Sequence, residues 1–135
     1  MAVLALHQGK IIFVKQYRYC FGQVILELPA GKIEKGESCE NTAIREFFEE
    51  TNIKIDKLTF LGKIYPSVGY TNEEIYLYLA DNVLEFDENF KSDEIDELVL
   101  LTVEEALQMI KEGKIVDAKT VVGVLYYYTF YYLKH

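Results

Sequence analysis

The chain of 135 residues has only two cysteines, Cys20 and Cys39, too few for a disulfide framework. They read as reduced thiols of a cytoplasmic protein. No apolar run reaches the roughly 20 residues of a membrane span. The opening "MAVLALHQGKIIFV" is broken by His7, Gln8, Gly9 and Lys10. It lacks the basic start and the cleavage site of a secretory leader. Basic residues are scarce: 14 against 22 acidic ones give a net charge of −8. That balance argues against a nucleic-acid binder, which presents a basic face. Low-complexity linkers and internal repeats are absent too, so the length suits a single domain over 1–135.

What is present is a core. Half of the residues are hydrophobic. "AVLAL" and "KIIFVKQ", separated by His7-Gln8-Gly9, predict a β-hairpin. "QVILEL" predicts a further strand, ended by Pro29, Ala30 and Gly31. Ser38 is placed to cap a helix over 39–51, with Glu40 in its first turn. "KLTFLGKIY", "EIYLYLA" and "ELVLLT" read as strands, with "YPSVGYTNE" and the acidic stretch 81–96 as loops. "VEEALQMIKEG" predicts a helix stopped by Gly113, and "DAKTVVGVLYYYTFYYL" a last one. The expected fold is α/β, with a mixed sheet between helices.

The informative stretch is "GKIEKGESCENTAIREFFEETNI", residues 31–53, which holds six acids: Glu34, Glu37, Glu40, Glu46, Glu49 and Glu50. Like charges four apart weaken a helix by a few tenths of a kcal/mol per pair, roughly. At helical spacing Ile44, Phe47, Phe48 and Thr51 share one face, expected to be buried. Glu46 and Glu50 project from the other side with Glu49 close by, and Arg45 is four residues from Glu49. Charge runs usually face water. Here, however, Gly31, Glu37, Arg45, Glu46, Glu49 and Glu50 form the spacing Gly-x5-Glu-x7-Arg-Glu-x2-Glu-Glu. With each type near 6% of residues, the chance of that match is on the order of one in ten million per frame.

This spacing resembles the Nudix box of hydrolases that cut nucleoside diphosphates linked to another group. The resemblance implies a Nudix-like α/β/α sandwich and a metal-dependent pyrophosphohydrolase. It makes Glu46 and Glu50 metal ligands, with Glu49 sharing a metal and the Ala30 carbonyl as a further ligand. Magnesium, or manganese in its place, suits such hard oxygen donors. Bound ions would neutralise a diphosphate and lower the pKa of a water. Glu37 and Arg45 are implied to orient the glutamates, and Gly31 to let the backbone turn into the loop at the substrate. Asn52 stands where the family has Gly; that place calls for a left-handed backbone, which Asn adopts next best.

"VKQYRY", "LELPAGKIEKGE" and "YPSVGYTNEEIYLYLA" further resemble the ADP-ribose pyrophosphatase branch. That likeness implies cleavage of ADP-ribose to AMP and ribose 5-phosphate, with Arg18 touching a phosphate; a surface salt bridge is its other reading. Val68 lies where the branch usually has a proline, and Pro66 comes two places early, so other nucleotide sugars or nucleoside triphosphates stand as alternative substrates. The branch also usually carries a longer N-terminal segment that helps build the dimer and the adenine site. A catalytic base is expected from "DENFKSDEIDE", with Glu94 first and Asp93 behind it. Tyr126, Tyr127, Tyr128, Phe130, Tyr131 and Tyr132 cannot all face one core from a single helix. A homodimer through this helix or the N-terminal hairpin is expected to cover them. His7 and His135 receive no role. The rival reading, a Nudix-like ligand-binding module, usually shows a degraded box and an attached DNA-binding domain, and the glutamates here are intact.

Overall fold

A computed structural model describes residues 1–31, 39–87, 89–90 and 97–134. Glu37, Ser38, Asp93 and Glu94 therefore lie outside the described residues. Strands β1 (Ala2–His7), β2 (Lys10–Arg18), β3 (Gln23–Glu27), β5 (Thr59–Ile64), β6 (Ile75–Ala80) and β8 (Glu97–Leu101) build one mixed sheet. β4 (Lys54–Ile55) and β7 (Val83–Glu85) form a separate small ribbon. Helices are α1 (Cys39–Thr51), α2 (Val103–Lys111) and α3 (Ala118–Phe130), followed by a 3₁₀ turn at Tyr132–Lys134.

The sheet is apolar on both faces, as a sheet covered on both sides must be. Period-two alternation sends Ala2, Leu4, Ile11 and Phe13 to a core shared with Val103 and Ala106 of α2 and Val124 of α3. It sends Val3, Ala5, Ile12 and Val14 to the opposite core with Ala43 and Phe47 of α1. The result is an α/β/α sandwich. The first turn is tighter than expected. Only Gln8 and Gly9 bridge β1 and β2, both at positive φ, 52° and 78°, as a two-residue hairpin turn demands. α2 begins with a reciprocal cap between Thr102 and Glu105. β4 and β7 were not foreseen; at two and three residues they are too short for any periodicity.

The registers contain the feature that makes a site. β2 meets β1 only at Leu6↔Ile11 and His7↔Lys10. From Val14 to Arg18 it pairs instead with β3, while β8 lines its other edge from Ile11 to Lys15. β1 and β3 thus follow one another along the same edge of β2. β1 leaves that edge to pair in parallel with β6, and just beyond β3 the chain touches β1 again at Ala2↔Ala30. Pro29, Ala30 and Gly31 sit where the sheet divides.

Helix α1 occupies the expected residues but is turned differently. Thr42, Ala43, Phe47 and Thr51 are buried, whereas Phe48 is exposed beside the Lys54 ammonium. At 100° per residue Thr42, Glu46, Glu50, Ala43 and Phe47 span one arc of about 140°. Glu46 and Glu50 therefore lie within the inward arc, not opposite it. Thr42 and Ala43 are short, and that leaves room for carboxylates to face the sheet. Asn52 then ends the helix at φ 59°, its N–H donating to the Phe48 carbonyl at 2.7 Å. This is the left-handed conformation its place in the sequence called for.

Helix α3 is not buried all round. It buries Thr120, Gly123 and Val124, and leaves Leu125 and Phe130 exposed. A Cβ on Gly123 would fall 2.7 Å from Leu28 Cδ1, so the glycine lets the helix approach the end of β3. Among the described residues, no helix is long and apolar enough to cross a membrane.

Candidate active site

Glu27 is the last residue of β3, only 3% exposed, and carries a charge into the interior. Two cations meet it. Arg18 donates from Nε to Oε2 at 2.7 Å and from Nη2 to Oε1 at 2.8 Å. Lys119 Nζ donates to Oε1 at 2.9 Å and to Asp117 Oδ2 at 2.8 Å. The Thr120 hydroxyl donates to the same Asp117 oxygen at 2.6 Å and accepts from the Leu28 N–H at 2.9 Å. A closed polar ring thus ties the end of β3 to the start of α3, and the chain runs from it through Pro29 to Ala30 and Gly31. Burial alone would push the Glu27 carboxyl up. The hydrogen bonds and charges of Arg18 and Lys119 outweigh it and hold the group below the usual glutamate value. The Glu27 hydrogen bond holds Arg18 more firmly protonated than usual, against the cost of burial, with the charges of Glu27, Asp117 and Glu50 adding to it. Glu50 is thus within electrostatic reach of Arg18.

Glu46 comes next to Gly31. A Cβ placed on Gly31 would meet Glu46 Cβ at 3.1 Å and Oε2 at 3.2 Å. Gly31 is not in the left-handed region, so its lack of a side chain serves close contact with Glu46 rather than a tight turn. Ala30 faces Ala2 as a pair whose neighbours carry the hydrogen bonds: Val3 N–H to the Pro29 carbonyl and Gly31 N–H to the Met1 carbonyl, both 3.0 Å. In such a pair the residue's own carbonyl points out of the ladder. Arg45 lies 3.3 Å from both a Glu46 and a Glu49 oxygen, so it steadies two of the box glutamates.

A magnesium ion is held by one or two protein carboxylates, with water and substrate phosphate completing its shell. Glu46, Glu50 and the Ala30 carbonyl are oxygen donors of that kind. Glu49, with its side chain 54% exposed, is drawn to Arg45 instead. Among the described residues, no three His, Cys, Asp or Glu side chains are gathered for an ion. Thr42 Oγ1, one turn before Glu46, is buried without a hydrogen-bond partner among the described residues. Gly31→Ala is expected to keep the fold but displace Glu46, weakening magnesium activation about tenfold. Magnesium titration of turnover, beside a thermal melt, checks this.

Of the residues singled out in the sequence, the structure brings Arg45, Glu46 and Glu49 into contact, sets Glu46 against Gly31, and puts Glu50 within reach of Arg18. Val68 stands apart on an exposed loop. Glu27, Asp117, Lys119 and Thr120 were missed. The available signal was an acid inside the apolar run "QVILEL", because a charge in a buried strand requires a partner.

Two cavities flank the polar ring. One, of about 370 Å³, is lined by Arg18, Phe21, Gln23, Ile25 and Val116. The other, of about 310 Å³, is lined by Ala30, Gly31, Pro66, Glu73 and Ile75. Asp117, Ala118 and Lys119 line both and form the ridge between them.

The chain is similar to known proteins in both sequence and fold. The NUDIX domain family matches residues 1–122. The chain is 42% identical over 129 residues to an ADP-ribose pyrophosphatase of Bacillus subtilis (strain 168), covering 93% of this chain and 70% of that protein. It is equally identical over 142 residues to a methanol dehydrogenase activator of Bacillus methanolicus, covering 100% of this chain and 75% of that one. A crystal structure of an ADP compounds hydrolase superposes with a TM-score of 0.83 at 18% identity, over 98% of this chain and 72% of the other. With its box glutamates set beside the dividing sheet, the chain belongs to the NUDIX family.

Proposed function

We propose that the chain is a pyrophosphohydrolase that cuts ADP-ribose into AMP and ribose 5-phosphate, working as one NUDIX domain over 1–135. The observation that carries this reading is the placement of Glu46 against Gly31, with Glu50 one turn on in the same inward arc, in a chain 42% identical to an ADP-ribose pyrophosphatase. Glu46 and Glu50, with the Ala30 carbonyl, would hold magnesium or manganese, and Glu49 would join them on leaving Arg45. When bound, the metal supplies charge neutralisation at the diphosphate and a more acidic water. Arg45 and Glu37 keep the glutamates oriented. Arg18, already charged and fixed by Glu27, offers its remaining N–H groups to a phosphate. Water oxygen forms the new bond to phosphorus, the bridging P–O bond breaks, and the water's proton passes to a carboxylate, for which Glu94 is the candidate.

A panel with magnesium tests the reading: ADP-ribose, other ADP-sugars and nucleoside triphosphates, with AMP and phosphate release followed separately. AMP from ADP-ribose with kcat/KM at least tenfold above the others supports it. Preference for a triphosphate or a different sugar overturns the substrate. The equal likeness to a methanol dehydrogenase activator adds one arm, in which methanol dehydrogenase is assayed with and without the chain. The expected assembly is a cytoplasmic homodimer. Exposed Leu125, Phe130 and Leu133 give the C-terminal region an apolar surface that a second copy would cover, and light scattering at micromolar concentration decides it.

A further inference from the structure

We propose that Lys119, in the first turn of α3, is a positioning residue for hydrolysis. Acting through Glu27, it fixes Arg18 with one edge of the guanidinium open to the substrate's diphosphate. The inference rests on the hydrolase reading, which sets Arg18 at a phosphate, and adds the residue that holds it there.

Arg18 engages Glu27 by its side edge: Nε donates to Oε2 at 2.7 Å and Nη2 to Oε1 at 2.8 Å. A guanidinium carries five N–H groups in a planar fork. Side-on pairing uses two of them and leaves both hydrogens of Nη1 and one of Nη2. Nη1 and Nη2 together form the end-on edge, whose spacing suits two oxygens of a phosphate. The Arg18 side chain is 47% exposed, so water competes for these groups and other rotamers are open to it. Its aim is therefore only as good as the anchor at Glu27.

Lys119 steadies that anchor from the buried side. Its side chain is 14% exposed, and Nζ donates to Glu27 Oε1 at 2.9 Å, the same oxygen that accepts from Arg18 Nη2. Two Arg18 hydrogen bonds already pair the carboxylate, and burying a further ion costs desolvation. What the ammonium adds is orientation: gripped from β2 and from α3, the carboxylate plane cannot turn with Arg18. Lys119 is itself held. Asp117 Oδ2 accepts from its Nζ at 2.8 Å and from the Thr120 hydroxyl at 2.6 Å, and Thr120 Oγ1 accepts the Leu28 N–H at 2.9 Å. The restraint thus returns to the backbone next to Glu27. Lys119 also lines both cavities, so direct contact with a phosphate is the competing role.

Two measurements decide the proposal. The chain has only two arginines, Arg18 and Arg45, so nitrogen-15 spectra of the arginine Nε–H groups hold two signals, assigned with Arg45→Lys. Without any substrate, the Arg18 Nε–H should exchange with water roughly tenfold faster in Lys119→Met than in the unaltered chain. An equal exchange rate overturns the proposal. The second measurement is a kinetic cycle on the substrate that the panel identifies. Lys119→Met should raise KM roughly tenfold, with kcat within about threefold. In the Arg18→Ala background the same substitution should change KM by less than about twofold, because the residue it acts through is gone. An equal rise in both backgrounds overturns the proposal and makes Lys119 a phosphate contact of its own. A lower melting temperature with KM unaltered overturns it too, and leaves Lys119 a purely structural role. Lys119→Gln, which keeps a donor toward Glu27, runs the same cycle with the same expected signs if Lys119→Met does not fold. Failure of the unaltered chain to hydrolyse any of the panel would overturn the hydrolase reading, while the exchange rates still decide whether Lys119 fixes Arg18.

Discussion

Glu50→Gln is expected to melt within a few degrees of the parent chain and to lose roughly a hundredfold or more of its turnover at saturating magnesium. The substitution keeps size and shape and removes one charge. Glu50 lies half-buried on the inward arc of α1, where its charge acts on Arg18 and where a bound cation would meet it. Losing a residue that merely orients a ligand costs 10–100-fold in affinity or activity, so loss of a ligand itself should cost more. Fold stability is carried elsewhere on the helix, by Ala43, Phe47 and Thr51. Turnover measured over a magnesium series beside a thermal melt separates the two effects. Near-normal turnover at saturating metal would remove Glu50 from the metal site.

Glu27→Ala should be the most destabilising polar substitution, at about 2–4 kcal/mol, or on the order of 10 °C in melting temperature. Without the carboxylate, Lys119, whose side chain is 14% exposed, keeps only Asp117. Arg18 is half exposed and can turn to water, which places the cost below that of a fully buried pair. Activity should fall as well, because Arg18 loses both bonds that fix its guanidinium. The pH dependence has a definite sign. The folded-state pKa of Glu27 lies below the usual glutamate value. Its contribution is therefore fully present above about pH 4.3 and is lost as pH falls through the folded value. The parent chain should lose stability below about pH 4.3 more steeply than Glu27→Gln. Denaturant melts of Glu27→Gln, Lys119→Met and the double variant isolate the pair, since contacting residues give non-additive changes. Simple additivity would mean that the ring carries no coupling.

Much of this protein is local and was legible from the chain alone. Apolar, β-branched runs bounded by turn residues marked β1, β2 and β6, α1 fell over the expected residues, and the spacing of the box acids carried the resemblance to a pyrophosphohydrolase. Asn52 announced its left-handed backbone because few residues tolerate one. Each of these signals is carried by neighbours within a turn or a strand. What the tertiary structure decided depends on contacts far apart in sequence. The rotation of α1, which turns Glu46 and Glu50 inward and leaves Phe48 outside, follows from how short Thr42 and Ala43 pack on the sheet. The divide at Ala30 exists because β2 exchanges β1 for β3 along one edge, a choice that strand periodicity does not encode. The Glu27–Lys119 bond spans 92 positions. An acid in an apolar strand signals that a partner must exist, since an unpaired buried charge is too costly. Only the packing of α3 onto the end of β3, with Gly123 admitting Leu28, determines that the partner is Lys119.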